Sequence, residues 1–348
     1  MDALIRQLED KQDLSDIEVQ VACELLLDPN GPDEKKARLL EALSIKGETP
    51  EEIASFVECF LEHAVNPHLD LLELDMPTLD VCGTGGDQLD LFNVSTTSMF
   101  VAAAAGAIVI KHGNRGITSK SGGADVLEAL GIKIDLKPEE FRRCIEIAGV
   151  GFMFAPVYHP AFKAVVSVRK SLAQRGVKTI FNLIGPLLNP ARPECQLIGV
   201  FNRSLCPAFA EICERLGRQS AWVVNGSTAD GQAVDEMSLM GNTRICKAGI
   251  HQEQTDEVVH PADFDLQVAT LDDLRGGDAS HNALILQNIL AGVETGPKRD
   301  MVLLNAGAAI ACTGIADNLM DGIDMARDAI SSGAASEKLI LLQVAAER

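Results

Sequence analysis

The chain has 348 residues, 47% of them hydrophobic, and a formal net charge of −20. This length is ample for a large core and predicts one or two domains, while the acidic balance argues against nucleic acid, whose binding requires Lys and Arg to neutralise phosphates. No apolar run approaches the ~20 residues that span a bilayer and no apolar stretch of a secretory signal is visible, so we expect a cytoplasmic protein with its nine single cysteines buried as free thiols.

Residues 1–72 predict a small α-helical domain. Ser15 and Thr49 each precede a glutamate three positions later, the capping-box pattern, and Pro32 opens another acidic helix start. Apolar residues then recur at helical spacing (Ile53, Phe56, Val57, Phe60 and Leu61). These stripes carry no visible catalytic chemistry, and they are explained most simply as core, with a subunit interface as the alternative.

From about residue 73 the pattern changes to short apolar runs that alternate with helical segments. The strand candidates are Thr78 to Cys82, Ile108 to Ile110, Gln196 to Val200 and Ala221 to Val224. This alternation predicts a large α/β domain over residues 73–348, with a central mixed sheet surrounded by helices. Residues 160–180 have a helical period and no strand pattern.

Residues 83–125 combine three features that suit a highly phosphorylated ligand. Glycines follow the first strand candidate, where they let a phosphate approach main-chain N–H groups (Gly83, Gly85 and Gly86). Hydroxyl and amide side chains precede an Ala-rich helical run whose free N–H groups face an anion (Asn93, Ser95 and Thr96). Basic and polar residues follow the second strand candidate (Lys111, His112, Asn114, Arg115, Ser119, Lys120 and Ser121). Each feature alone is typical of a turn or helix cap, but in strand–loop–helix order they predict a phosphate cradle.

Adjacent carboxylates form a second chemical feature. Asp235 and Glu236 follow a glycine-containing loop at 226–231. Mg²⁺ prefers carboxylate oxygen and usually takes one or two carboxylates together with substrate phosphates. An isolated Asp-Glu pair is more often a solvated surface feature, and the His, Cys and carboxylate spacings give no zinc pattern.

Together these motifs resemble the anthranilate phosphoribosyltransferase family, within the nucleoside phosphorylase/phosphoribosyltransferase superfamily. The similarity covers nearly the whole chain in seven ordered blocks. They are GTGGDQLDLFNVST, KHGNRGITSKSGGAD, FAPVYHPAFKAVVSVR (154–169), TIFNLIGPLLNPA (179–191), VDEMSL (234–239), GGDASHNA (276–283) and LLNAGAA (303–309). The resemblance implies that helices from about 160–182 join the helical domain, that a hinge separates it from the phosphoribosyl pyrophosphate-binding domain, and that it forms a homodimer contact.

The resemblance also implies an activity and a set of site residues. The activity is transfer of the 5-phosphoribosyl group from phosphoribosyl pyrophosphate to the amine of anthranilate, in tryptophan biosynthesis, with Mg²⁺ as cofactor. The implied donor-binding residues are Gly83, Gly86, Asp87, Leu91, Asn93, Val94, Ser95, Thr96, Lys111, Ser119 and Gly123. The implied metal ligands are Ser95, Asp235 and Glu236. The implied acceptor-binding residues are Gly83, His112, Asn114, Tyr158, Arg169 and Gly185, with His159 beside them.

Two chemical expectations accompany this assignment. We expect Arg169 to pair with the anthranilate carboxylate, because a planar guanidinium matches that group bidentately. An aryl amine is already neutral at pH 7, so we expect no residue to act as nucleophile or strong general base, and catalysis to come from positioning and charge stabilisation.

The sequence departs from the family pattern at three places. Leu91 stands where the family usually has Thr, Gly123 stands for a common Ser, and residues 170–178 include two extra positions. Each lost hydroxyl is expected to weaken donor binding by ~0.5–1.5 kcal/mol, unless the main chain or water replaces it. The alternatives are a pyrimidine nucleoside phosphorylase, which shares the fold, and a non-catalytic relative.

Overall fold

Four helices form the amino-terminal part of the chain in the computed structural model. The model describes residues 1–116, 120–250 and 252–347, with only the backbone of residue 252. The helices are α1 (Asp2–Glu9), α2 (Asp16–Leu27), α3 (Asp33–Lys46) and α4 (Pro50–Glu62). They begin where the capping patterns predict: the Oγ1 of Thr49 accepts from the Glu52 N–H at 3.2 Å, and the Glu52 carboxylate accepts from the Thr49 N–H at 2.9 Å.

Within the described residues, eight strands form one mixed sheet. They are β1 (Thr78–Gly83), β2 (Ile108–Gly113), β3 (Val150–Phe154), β4 (Cys195–Gly199), β5 (Ser220–Ser227), β6 (Ala233–Val234), β7 (Thr243–Gly249) and β8 (Gln252–Val259). Their order is β3-β2-β1-β4-β5-β7-β8, with β6 paired to β5; the first five are parallel and the others antiparallel. The strand order reverses between β1 and β4, and a crevice at their carboxyl ends is the usual ligand site of such sheets.

The remaining helices cover both faces of this sheet. They are α5 (Val94–Ala104), α6 (Gly123–Ala129), α7 (Pro138–Ala148), α8 (Ala155–Tyr158), α9 (Val166–Gln174), α10 (Leu205–Arg215), α11 (Leu271–Leu274), α12 (Ala279–Leu290), α13 (Pro297–Cys312), α14 (Leu319–Ser331) and α15 (Ala334–Glu347). Alternate strand residues supply two apolar cores, since side chains of a strand point to opposite faces in turn. Leu197 and Val224 belong to the core with α5 and α12–α15, whereas Ile198 and Val223 belong to the core with α10 and α1–α4.

The segment between β3 and β4 returns to the amino-terminal helices. It contains α9 and short 3₁₀ turns at Pro160–Val165, Ile180–Asn182 and Gly185–Leu187. Four polar contacts join it to α3, namely Lys36 Nζ to the Ala164 carbonyl (2.9 Å), Ser167 Oγ to Asp33 (2.7 Å), Arg175 to Glu41 (2.5 Å) and Ser44 Oγ to the Lys178 carbonyl (2.7 Å). This segment therefore packs against the amino-terminal helices.

Two expectations from composition can be compared with the fold. All nine cysteines are buried and free, as predicted. In the part of the chain that the structure describes, no helix has both the length and the apolar character needed to cross a bilayer.

Candidate active site

The glycine-rich turn after β1 lies directly against the carboxylate pair. The N–H of Gly85 donates to Asp235 Oδ2 at 2.7 Å. A Cβ on Gly83 would lie 2.8 Å from the same oxygen, and a Cβ on Gly199 would lie 1.6 Å from the Asp235 carbonyl oxygen. Gly86 has a φ of +96°, which L side chains rarely adopt. These glycines thus let the Asp235 peptide enter the crevice between β1 and β4.

Glu236 faces the amino terminus of α5. The N–H of Ser95, in the first turn of this helix, donates to Glu236 Oε1 at 3.2 Å. Lys111, at the end of β2, is buried, and its Nζ donates to Ser95 Oγ at 3.2 Å and to the Val81 carbonyl. The carboxylate therefore meets both a helix N-terminus, whose dipole favours negative charge, and the neighbourhood of a buried ammonium.

The pKa values of this pair show a site with excess negative charge. Burial raises the pKa of Asp235 well above its usual range, and the nearby charges of Asp87 and Glu236 raise it further. Burial also raises the pKa of Glu236 to about 7, where Lys111 and the Ser95 N–H oppose the effect and Asp87 adds to it. Carboxylates that crowd each other in this way favour a proton or a cation between them.

The donor set fits Mg²⁺ that arrives with a phosphorylated ligand. Among the described residues, no group of three or more His, Cys, Asp or Glu side chains is arranged to hold a metal alone. Mg²⁺ instead commonly takes one or two carboxylates and completes its shell with phosphate oxygens and water. Asp235 and Glu236, with the Ser95 hydroxyl close by, offer oxygen ligands of this kind.

Asn93 joins the loop before α6 to the start of α5, and Asn282 on α12 holds Asn93 in place. Asn93 Nδ2 donates to the Ser121 carbonyl at 3.2 Å, and Asn282 Nδ2 donates to Asn93 Oδ1 at 2.8 Å. A Cβ on Gly123 would lie 2.8 Å from Thr96 Oγ1, so a glycine at this position lets α6 approach α5 closely. The structure thus brings Asn93, Thr96 and Gly123 together at one end of the cradle.

Two of the basic residues in the predicted phosphate cradle are ion-paired in the structure. Arg115 is ion-paired with Asp125 at 3.1 Å and with Glu128. Lys120 is paired with Asp90 at 3.2 Å. The carboxylates on α6 and on the loop after β1 therefore compensate these two charges.

Three further residues were predicted on the donor side. Leu91 is half-buried, packs against the core and forms an isolated antiparallel bridge with Arg275. Val94 is buried at the first position of α5. Ser119 lies outside the described residues.

The acceptor side contains two neutral histidines. The ring of His112 lies edge-on to that of His159, with centroids 5.2 Å apart, and the ring also contacts the main chain at Gly185. Burial lowers the pKa of His112 to about 3 and that of His159 to about 4. His159 Nε2 bonds to the Leu188 carbonyl at 2.8 Å, whereas His112 Nε2 is buried and, within the described part of the chain, has no partner.

Arg169 has no carboxylate partner among the residues that the structure describes. Its guanidinium lies over the Phe181 ring, 4.8 Å from the centroid, and burial lowers its pKa. Ring contacts run from Phe181 to Phe162 (5.4 Å) and from Phe162 to His159 (5.0 Å). Arg169 and the histidines therefore border one aromatic cluster, which offers an unpaired cation beside an apolar surface.

Two predicted acceptor residues lie apart from this cluster or at its margin. Tyr158 is fully buried in the α/β core, with its ring 6.2 Å from that of Phe141, so the structure does not bring its side chain to the others. Asn114 is exposed on the loop after β2, and its Oδ1 accepts from the Arg115 N–H at 2.8 Å. A Cβ on Gly185 would have no atom within 4 Å, so there is open space beside this residue near His112.

Sequence reasoning missed several residues that shape the site. Asn189 Nδ2 donates to Asp80 Oδ2 at 2.9 Å, and the other oxygen of Asp80 accepts from the His112 N–H at 3.3 Å. Asn305 bonds to the main chain of Met237, next to the carboxylate pair. The available signal was a polar residue inside an apolar stretch, since buried polar groups need partners.

Comparisons with known proteins identify the family of this chain. The model of the glycosyl transferase family α/β domain matches residues 75–336, and the model of its helical bundle domain matches residues 2–64. An anthranilate phosphoribosyltransferase from Haloferax volcanii is 46% identical over 86% of this chain and 87% of its own length.

Solved structures give the same result. The anthranilate phosphoribosyltransferase of Thermus thermophilus is 37% identical, with a TM-score of 0.89 over 99% of both chains. The Saccharomyces cerevisiae enzyme, in complex with phosphoribosyl pyrophosphate and Mg, is 26% identical, with a TM-score of 0.84 over 100% of this chain and 99% of its own. By identity and coverage, this chain belongs to the anthranilate phosphoribosyltransferase family.

Proposed function

We propose that the protein transfers the 5-phosphoribosyl group of phosphoribosyl pyrophosphate to the amine of anthranilate and releases pyrophosphate. The observation that carries this proposal is the meeting of the glycine turn, the α5 N-terminus and the Asp235–Glu236 pair at the carboxyl ends of β1 and β4. This arrangement combines anion-binding N–H groups with carboxylates suited to a divalent cation. A phosphorylated donor that carries its own metal satisfies both.

The donor is held by main-chain N–H groups, hydroxyls and one ammonium in this proposal. Its ligands are Gly83, Gly86, Asp87, Leu91, Asn93, Val94, Ser95, Thr96, Lys111, Ser119 and Gly123. The left-handed backbone at Gly85 and Gly86 supports this role, because glycine in such a turn lets a phosphate approach the main chain closely. Leu91 can contribute only its main chain or its apolar surface.

Mg²⁺ is held by Asp235, Glu236 and Ser95 in this proposal. The S. cerevisiae relative, whose complex contains both the donor and Mg, supports the assignment. When bound, the ion stabilises the negative charge that develops on the departing pyrophosphate. The raised pKa values of both carboxyls support the same view, since a cation would relieve their mutual repulsion.

Anthranilate lies between Arg169 and His112 in this proposal, near Gly83, Asn114 and Gly185. The unpaired guanidinium supplies a bidentate partner for its carboxylate, and the neighbouring rings supply an apolar surface for its own ring. His112 Nε2, buried and unpartnered within the described residues, supplies one further hydrogen-bonding atom.

The reaction needs positioning more than proton transfer. The amine lone pair forms the new C1–N bond while the C1–O bond to pyrophosphate breaks, with inversion at C1, and the amine then loses a proton. The histidines have pKa values of about 3 and about 4, far below the range of an effective general base at neutral pH. The chain therefore contributes mainly by holding the two reactants in line and excluding water.

The helical region is proposed to form a homodimer contact. Ile17 and Val21 lie one turn apart on α2 with exposed side chains, which form an apolar strip on the outer surface of this region. Light scattering of the full chain should then give a dimer mass, and Ile17→Asp with Val21→Asp should give monomer. A dimer that survives both substitutions would place the contact elsewhere.

Product analysis tests the proposed function against the phosphorylase alternative. The purified chain is incubated either with phosphoribosyl pyrophosphate, anthranilate and Mg²⁺ or with a pyrimidine nucleoside and inorganic phosphate. We expect N-(5-phosphoribosyl)anthranilate in the first mixture, abolished by EDTA, and no free base in the second. Base release without Mg²⁺, together with an inactive first mixture, would contradict the proposal.

A further inference from the structure

Asn305, in the middle of α13, is fully buried and has an unusual set of partners. Its Oδ1 accepts from the Met237 N–H at 2.9 Å. Its Nδ2 donates to the Met237 carbonyl at 2.9 Å and to the Met301 carbonyl one turn earlier in the helix, also at 2.9 Å. The side-chain amide thus bonds to both the N–H and the carbonyl of Met237, in the segment after β6, as the main chain of a neighbouring strand would.

Met237 directly follows the carboxylate pair, so these two hydrogen bonds fix the main chain next to Asp235 and Glu236. The same peptide is confined on its other sides by glycines. A Cβ on Gly199 would lie 1.6 Å from the Asp235 carbonyl oxygen, and a Cβ on Gly226 would lie 2.5 Å from the Glu236 carbonyl oxygen. Residues 235–237 therefore pack closely against β4 and β5 on the side of the sheet, and α13 binds them from the opposite side.

We propose that Asn305 is a positioning residue, which sets the direction and spacing of Asp235 and Glu236 through the main chain of Met237. Met301 and Met237 are buried, and their side chains are apolar. Among the described residues, the two hydrogen bonds between Asn305 and the main chain of Met237 are the only ones that join α13 to residues 235–237. The inference rests on the proposed function, because it gives the two carboxylates the role of metal ligands. It adds a residue outside the site that controls how well they hold the ion.

The test uses Mn²⁺ as a spectroscopic probe in place of Mg²⁺. Free Mn²⁺ is measured by electron paramagnetic resonance as it is titrated into the full chain with phosphoribosyl pyrophosphate present. Asn305→Leu, which keeps the number and branching of the heavy atoms and loses all three bonds, should weaken Mn²⁺ binding about 10- to 100-fold, as for other residues that orient metal ligands. Asn305→Asp keeps the bond from the Met237 N–H and should weaken binding less if its folding is intact.

Asn318→Ala is the matched control for stability. Asn318 caps α14, which packs on α13, and its Oδ1 accepts from the Asp321 N–H at 3.0 Å without touching Met237. This variant should lower the melting temperature and leave Mn²⁺ binding unchanged. In steady-state assays Asn305→Leu should raise the Mg²⁺ activation constant, while the KM for anthranilate at saturating Mg²⁺ stays near that of the wild type.

The possible results separate the inference from the proposed function. A wild-type chain that forms no product from donor and anthranilate would overturn the proposed function and with it this inference. An active wild type whose Asn305→Leu and Asn305→Asp variants bind Mn²⁺ normally, with only a lower melting temperature, would overturn the inference alone. If Asn305→Leu does not fold, the Asn305→Asp titration decides between the two outcomes.

Discussion

The two sides of the candidate site are built in opposite ways. On the donor side, Asp235, Glu236 and Lys111 each hydrogen-bond to the glycine turn or to Ser95, and Gly83 and Gly199 lie close against Asp235. On the acceptor side, Arg169 stands over a ring without a carboxylate partner in the described chain, and buried histidines are neutral.

This difference follows from the chemistry of the two proposed substrates. Phosphate groups carry several negative charges and have a nearly fixed shape. A rigid cradle of N–H groups together with a bound cation can therefore recognise them. Anthranilate carries one charge and a flat apolar ring, for which one guanidinium beside aromatic side chains is sufficient. The contrast predicts that donor-side and acceptor-side variants will affect different kinetic constants.

The largest effect should come from the carboxylate pair. Asp235→Asn with Glu236→Gln removes the proposed metal ligands, and turnover should fall by about 10²- to 10⁴-fold if two losses of the usual size multiply. The fold should persist, because burial and mutual repulsion already disfavour both charges. Steady-state rates across a Mg²⁺ series, with thermal unfolding as a control, check this. An unchanged rate and unchanged Mg²⁺ dependence would remove these residues from the metal site.

Arg169→Ala should weaken the binding of anthranilate by roughly 1.5–3 kcal/mol, the range for a lost charged hydrogen bond, and should leave donor binding unchanged. Arg169→Lys should rescue only partly, because an ammonium lacks the bidentate fork. Arg175→Ala is the matched control, since Arg175 follows the same helix but is exposed and paired with Glu41.

Aniline, which has no carboxylate, sharpens this test. The wild type should use aniline poorly, and Arg169→Ala should change that rate little. An equal loss for aniline and anthranilate would show that Arg169 acts structurally. We also expect Arg169 to meet the carboxylate only when the helical and α/β parts close over the donor, so anthranilate should bind more tightly in calorimetry once donor is present.

Gly86→Ala should raise the KM for the donor more than the KM for anthranilate. A side chain at φ +96° is strained, and such strain costs about 1–3 kcal/mol unless the turn moves. Gly106→Ala is the matched control, because Gly106 has a φ of +108° in open space at the amino end of β2, away from the site. The control should lose stability without a change in either KM, and equal KM changes in Gly86→Ala would indicate general misfolding.

The smallest effect is a change in the pH dependence of stability. The unfolded chain binds a proton at His159 below its ordinary pKa of ~6.5, whereas the folded protein does so only near its pKa of about 4. This histidine therefore lowers stability as the pH falls from about 6.5 towards 4. Asp235 and Glu236, whose pKa values are raised, act in the opposite direction. The melting temperature of His159→Gln should consequently fall less on acidification than that of the wild type. Parallel curves of melting temperature against pH would contradict a neutral buried His159.

The sequence predicted those parts of the fold that local chemistry determines. The capping patterns placed the starts of α2, α3 and α4, and apolar runs located β1, β2, β4 and β5. It missed β3, β6, β7 and β8. β3 is a short strand, VGFMF, directly after a helix, and β8 is mostly polar and exposed at the sheet edge. Such strands depend on pairing with distant neighbours, which periodicity does not reveal.

For the candidate site, the motifs could be predicted from the sequence but their mutual contacts could not. The approach of Asp235 to Gly85 joins residues 150 positions apart, and the pairing of Arg115 with Glu128 depends on how α6 packs. The motif around Tyr158 predicts an acceptor-binding side chain, whereas its ring lies in the core. The buried asparagines could not be selected from the sequence: Asn305 bonds only to main-chain atoms, and the side-chain partner of Asn189, Asp80, lies 109 positions away.

The central claim is tested most directly by following anthranilate fluorescence while pyrophosphate is measured in the same reaction. With the full chain, phosphoribosyl pyrophosphate and Mg²⁺ all present, the account predicts that fluorescence falls and that one pyrophosphate appears for each anthranilate consumed. Omission of any one component should stop both signals. A folded protein that leaves anthranilate unchanged, or that releases pyrophosphate without consuming it, would contradict the account.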